Sequence, residues 1–356
     1  MTTEQQVEQQ AEPQKKNENV FFTISYDAND DEYAKHRIDA DQLVEIVTNM
    51  KELISRADKT INRRKETVKL YLQAPVQAGS LEIPFMLENL TVTADALEVL
   101  KYLGISAGAV VTKIVGGGVL EVLKKTKGKS ILEIRSTSKS PEATIVLDGE
   151  ELTVDKKVAR LVTNPRVREN IQKLIAAPLE GKTESTFKVK LLEQILVDEV
   201  PVEQSDTVDF AESEEGVSTF IQDINPVDTI SFDENDVAIF EKMELSPIPE
   251  THTEEIDTTI ALTQISFTGS QKGWKMSYGS KTDVSVEILD KHFIQQINKD
   301  IASFRKGDLY NVILRVTTRT LAKRETVRYS IVKVKNHMAS SGRKIVSDQP
   351  LKKEDE

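Results

Sequence analysis

Charge is parcelled along this chain in three blocks, and that layout constrains its folding more than any other feature. Residues 1–192 hold 28 Lys and Arg against 28 Asp and Glu. Residues 193–257 hold one cation, Lys242, against 20 carboxylates, and residues 258–356 hold 18 cations against 10 carboxylates. Net charges of zero, −19 and +8 in that order predict separate units. The length of 356 residues fits about two domains. A composition 38% hydrophobic and 29% charged leaves enough apolar material for a core.

Apolar periodicity supplies the elements. Val20–Tyr26 reads as a strand. Leu43, Ile46, Val47, Met50, Leu53, Ile54, Ala57 and Ile61 share one face of a helix that Asp39 caps. Lys69–Leu72 and Ser80–Leu87 read as strands. Asp95–Leu123 reads as two close-packed helices, with Gly104, Gly108 and Gly116–Gly118 allowing a tight approach or breaking the second helix. Ser130–Arg135 and Thr144–Leu147 are strands, with Asp148-Gly149 as a hairpin turn. Asn164-Pro165 opens a helix, and Thr186–Leu191 closes the domain as a strand. From about Thr258 to His337, Trp274, Met276 and Tyr278 alternate, as do Val284, Val286 and Ile288, and Tyr310, Val312, Leu314 and Val316. The parity slips between Ile331 and Val332, as a β-bulge requires. The expected fold class is α+β. It comprises a disordered 1–19, a mixed domain with an apolar helical hairpin over 20–192, an acidic linker over 193–257, a small β-barrel-like domain over 258–340 and a flexible tail over 341–356.

Several chemistries are excluded or weakened. With no cysteine there is no disulfide framework, thiolate zinc site or cysteine nucleophile. Gly104-Ile105-Ser106-Ala107-Gly108 matches a nucleophile elbow, yet helical spacing precedes it where a strand is required. Gly128-Lys129-Ser130 lacks the upstream glycine of a phosphate loop and reads as a helix C-cap. Asp27–Asp31 starts like a calcium loop but has Glu32 and Ile38 where glycine and glutamate are needed. The four histidines show no paired spacing, so no zinc site and no cofactor are expected, while the abundant carboxylates leave a carboxylate-only metal site open. Met1–Lys16 has no apolar core, so a cytoplasmic location is expected. Ile105–Leu123 approaches membrane-spanning length, but Lys113, Glu121 and its glycines favour a buried hairpin.

Two interaction surfaces remain. On the basic C-terminal unit, Arg315, Arg319, Lys323, Arg324, Arg328, Lys333 and Lys335 could form a phosphate-neutralising stripe, with Trp274 or Tyr278 stacking a base. The competing account makes those charges a solvated outer face and the two aromatics core. The acidic segment presents Asp206, Asp209, Glu212, Glu214, Glu215, Asp233, Glu234 and Asp236. They form a spacer, fold back to screen the basic unit, or mimic phosphates toward a partner. Phe and Ile residues embedded among them argue that part of the segment packs on something.

Three segments carry a resemblance: the apolar hairpin, Asn164-Pro165-Arg166-Val167-Arg168 with Ala177-Pro178-Leu179-Glu180-Gly181, and Gly273-Trp274-Lys275 with Phe304-Arg305-Lys306-Gly307-Asp308-Leu309. Over residues 20–190 and 258–337 the chain resembles a broad family of uncharacterised bacterial proteins, many from prophages and mobile elements. The resemblance implies a mobile-element or phage–host conflict setting and carries no activity or site. The leading expectation is a non-enzymatic cytoplasmic protein that binds a protein partner. The alternatives are nucleic-acid binding through the basic unit, masked by the acidic segment, and membrane association through the Gly-rich hairpin.

Overall fold

The computed structural model describes residues 19–29, 33, 35, 37–63, 65–73, 81–91, 95–105, 114–192, 226–267, 270–299, 304, 305, 307–338 and 344–346. They fall into two compact units, each built from two stretches of chain. Unit 1 takes Met1–Gly128 and Arg160–Leu245, and unit 2 takes Lys129–Ala159 and Ser246–Glu356.

Unit 1 is an antiparallel sheet with helices. Its strands are β1 (Val20–Asp27), β2 (Val68–Leu72), β3 (Leu81–Asn89), β7 (Thr186–Leu192) and β8 (Pro226–Phe232), in the order β2-β3-β1-β7-β8. Helix α1 (Ala40–Ile61) starts where the Asp39 carboxylate accepts the amides of Asp41 and Gln42. It buries the predicted face from Ile46 to Ile61. Its one buried charge, Asp58, accepts from the Thr67 amide (2.6 Å) and hydroxyl (2.6 Å), Asn62 Nδ2 (2.7 Å) and the Val68 amide (3.3 Å). Those bonds tie the end of α1 to the start of β2. The apolar hairpin appears as α2 (Ala96–Leu103) and α3 (Val119–Lys125). Gly104 ends α2 in the left-handed region (φ +81°) and lies against Gly118, the N-cap of α3. The tight approach expected from the glycines is thus present.

The acidic block contributes a strand and a helix to this unit. Strand β8 pairs with β7 at the sheet edge, and α6 (Glu234–Glu241) follows it. Phe232, Val237 and Phe240 are buried, with the Phe232 and Phe240 rings 5.5 Å apart. The embedded apolar residues therefore anchor this part of the segment, which is no spacer.

Unit 2 holds β4 (Ile131–Thr137), β5 (Glu142–Leu147) and β6 (Glu150–Asp155), then β9 (Glu250–Gln264), β10 (Trp274–Tyr278), β11 (Lys281–Ile288), β12 (Leu309–Leu321), β13 (Arg324–Met338) and β14 (Lys344–Val346). Helix α4 (Lys156–Thr163) follows β6, and α5 (Pro165–Ile175) returns the chain to unit 1. The sheet runs β10-β11-β13-β12-β9-β4-β5-β6, and β9 also pairs with β10, closing five strands into a barrel. Numbered along the chain, the barrel strands run 1-2-3-5-4 around the ring. The third and fifth are parallel, and helix α7 (Lys291–Asn298) lies between the third and fourth. This is the connectivity of an OB barrel.

Strand alternation fills the interior with Trp274, Met276, Val286, Ile288, Val312 and Leu314, and α7 adds Phe293 and Ile297. The predicted bulge is present: Ile313 pairs with Lys333 and Leu314 with Ile331, leaving Val332 unopposed. A second bulge leaves Lys335 unopposed. At the α7 end, His337 Nε2 lies 2.9 Å from Asp308 Oδ2, both groups buried, and the imidazole stacks on Tyr310 at 4.4 Å.

The two units do not follow the boundaries expected from sequence. Residues 129–159 leave the first block to join the barrel's sheet, because β4 pairs in parallel with the start of β9 (Ile134–Glu250 to Thr137–Thr253). The acidic block is divided, its β8–α6 portion in unit 1 and Ser246–Asp257 in unit 2. Counted over unit 2 as a whole, the charge is +3, well below the +8 of residues 258–356. Any electrostatic function must come from local placement.

Candidate nucleic-acid interface

The alternation that sends Trp274, Val286 and Tyr329 inward sends Lys275, Ser285, Glu287, Arg328 and Ser330 outward on β10, β11 and β13. With Arg315 and Thr317 of β12 they line a recess of about 790 Å³. Lys272, at the end of the β9–β10 loop, extends the lining. Lys275 and Arg328 have no ion-pair partner among the described residues. The same loop carries Phe267, 74% exposed, its ring edge-on to Phe304 at 6.3 Å. At the other pole, the β12–β13 turn carries Leu321, Lys323 and Arg324, all exposed. The recess is thus lined by cations and hydroxyls, the loop that carries Lys272 also carries an exposed aromatic, and the β12–β13 turn carries two exposed cations.

Arg315 and Thr317 also line a second recess of about 690 Å³ between β12, β9, β4 and β5. Its walls are rich in hydroxyls, among them Ser136, Thr137, Thr144, Thr251 and Thr253. Glu255 of β9 lines this second recess beside Arg315, which lines both. Arg315 donates to its Oε1 through Nε (3.2 Å) and Nη2 (2.9 Å), and Lys139 donates to its Oε2 (3.1 Å). Those bonds, Arg315 first, hold the Glu255 carboxyl below the usual carboxylate range against a small opposing effect of burial. Nearby, burial pushes the Glu133 carboxyl up. Hydrogen bonds from Thr251 and Arg135, with the charges of Arg135 and Arg319, outweigh that and leave it low.

The predicted cations therefore part company. Arg328, Arg319, Lys323, Arg324 and Lys333 are exposed, whereas Arg315 is tied to Glu255 and Lys335 to Asp257. Trp274 cannot stack a base: it is 1% exposed in the barrel core, its indole N–H donating to Ser270 O at 2.9 Å. Tyr278 is half-buried, packed against the core with its ring 6.5 Å from Tyr329. Alternation alone placed both aromatics inward, and it holds.

The acidic candidates fare differently. Asp233 and Asp236 form a reciprocal capping box at the start of α6, and Asp236 also pairs with Lys124 at 2.6 Å. Glu234 accepts the Glu184 amide at 3.1 Å. These three side chains make bonds within unit 1, with Asp236 buried and Asp233 and Glu234 exposed. Asp206, Asp209, Glu212, Glu214 and Glu215 lie outside the described residues, as does Ser106 of the nucleophile pattern.

Sequence reasoning missed Lys275, Phe267 and Glu255. Lys275 was legible, since it alternates with Trp274 and Met276. Phe267 was legible only as a lone aromatic in a polar loop. Glu255 had no local signal, because its partners lie 60 and 116 positions away.

Among the described residues no group of His, Asp and Glu could hold a metal ion, and no helix is long and apolar enough to cross a membrane. No family model, no curated protein and no solved structure matches the chain. The mobile-element resemblance thus rests on its own short motifs.

Proposed function

We propose that the unit 2 barrel binds single-stranded nucleic acid across the outer faces of β10, β11, β13 and β12. The supporting observation is the coincidence of OB connectivity with a recess on which Lys275 and Arg328 are free of ion pairs among the described residues. Barrels of this connectivity bind oligonucleotides among other ligands, an analogy of fold alone, and the side chains on this face support that reading. Lysine and arginine take the phosphates, and Ser285, Ser330 and Thr317 offer hydroxyl donors to the backbone. Phe267 on the β9–β10 loop offers a platform for an unstacked base, which a single strand presents and a duplex does not.

The test is fluorescence anisotropy of the full chain with a labelled oligo-dT of about twelve nucleotides, within the site sizes of such barrels, across a salt series. Lys275→Glu and Arg328→Glu should each flatten the log–log salt slope by about 0.7, the value for one single-strand phosphate contact. Phe267→Ala should cost about 1–3 kcal/mol of affinity, roughly a five- to hundred-fold loss, with the slope unchanged. Absence of saturable binding at low salt, or binding indifferent to all three substitutions, would refute the proposal.

A further inference from the structure

The proposed face has a carboxylate at its β12 edge, and its placement has a consequence for affinity. Glu255 belongs to the acidic block of the sequence, yet β9 lies beside β12 in a register that sets Arg315 opposite Glu255. The two oxygens of Glu255 are divided between two cations, Oε1 on Arg315 and Oε2 on Lys139. A carboxylate so placed occupies the donors that a phosphate would use, because guanidinium and ammonium groups recognise both anions with the same geometry. One turn of alternation further, Asp257 holds Lys335 in the same way.

We infer that Glu255 is a built-in competitor for phosphate: it keeps Arg315 and Lys139 out of the nucleic-acid contact and so limits the strength and length of the binding track. The inference rests on the proposed single-strand binding. Binding by the wild-type chain then proceeds through Lys275 and Arg328, while the hydroxyl-rich recess beyond β9 adds little. Replacing the carboxylate releases two cations and opens that recess to further phosphates. Glu142, which also lines it, is the remaining local repulsion.

The experiment is Glu255→Gln in the full chain, measured with the same oligo-dT and salt series. The amide keeps the shape, removes the charge, and should tighten binding about five-fold or more at low salt. The slope should steepen by about 0.7 for each released cation that gains a phosphate. Adding Lys139→Ala to Glu255→Gln should take back about 0.7 of that slope. Glu254→Gln, on the opposite face of β9, makes the same change in net charge and controls for the general field. Unchanged or weaker binding by Glu255→Gln, or equal gains from Glu254→Gln, overturns the inference while leaving barrel binding intact. Silence from both overturns this inference and the proposed function together.

Discussion

Gly118 offers a sharp test of how unit 1 is packed, because its backbone is ordinary while its surroundings are not. It sits at φ −77° and ψ 177°, a conformation open to any residue. A Cβ there would lie 2.3 Å from Gly104 N, 2.4 Å from Gly104 Cα and 2.7 Å from Lys101 O. All three are backbone atoms, and ordinary contact distances are about 3.5–4.0 Å. Gly118→Ala must therefore push the ends of α2 and α3 apart by about an ångström. Leu100, Leu103, Val119 and Leu120, each at most 1% exposed, would lose contacts with them. Overpacking of this kind costs about 1–3 kcal/mol, and backbone on every side places Gly118 near the top of that range. Restricting the unfolded chain returns about 0.4–1 kcal/mol, leaving a net loss of roughly 2 kcal/mol. At about 2–4 °C per kcal/mol for a unit of this size, the midpoint should fall by roughly 4–8 °C. The assay is thermal and urea unfolding by far-UV circular dichroism. Fluorescence of Trp274, the chain's single tryptophan, follows unit 2 separately. Gly128→Ala is the control, with the opposite properties: φ +75° and nothing within 4 Å of the added carbon. It should cost only about 1 kcal/mol, the left-handed penalty less the unfolded-state gain. A loss at Gly118 no larger than at Gly128 would refute the close approach of the two glycines.

Two further outcomes test the energetics. Asp58→Ala strands the Thr67 and Val68 amides in a buried site and should destabilise unit 1 by about 3 kcal/mol, read as a lower urea midpoint with unchanged slope; a shift near zero would mean those donors find other partners. The Glu255 carboxyl is held below its ordinary value of 4.5, so its contribution to stability is present above that pH and disappears as pH falls through the lower folded value. The difference in midpoint between wild type and Glu255→Gln should therefore hold steady at neutral pH and close below about pH 4.5. A gap that does not shrink as the pH is taken down from 4.5 would contradict the ion pair with Arg315 and Lys139.

Local pattern was enough to find most elements, since helix and strand periods are written in neighbouring residues. The face of α1, the Asn164 cap with its following proline, the barrel strands and the bulge at Val332 are all readable that way. So was the burial of Trp274, once it alternated with Met276. The helix over Lys156–Thr163 was not found: it follows β6 with no intervening loop, and its cap, Asp155, which accepts the Lys157 amide at 2.6 Å, is also the last residue of that strand.

The candidate site was only half legible. Strand parity identifies Lys275 and Arg328 as outward, but nothing nearby says which strands adjoin them or whether a carboxylate stands opposite. That depends on pairing between distant segments. Residues 129–159 join the barrel's sheet because β4 finds β9 more than a hundred positions later, and the acidic block divides because β8 pairs with β7 while β9 pairs with β12. Alone, then, the sequence determines local conformation, the inside and outside of each strand, and the total charge. Tertiary structure decides which charges meet. Hydrogen-bonded register brings Glu255 to Arg315 across 60 residues of intervening chain, turning what reads as a uniform basic stripe into one cation held and another left open.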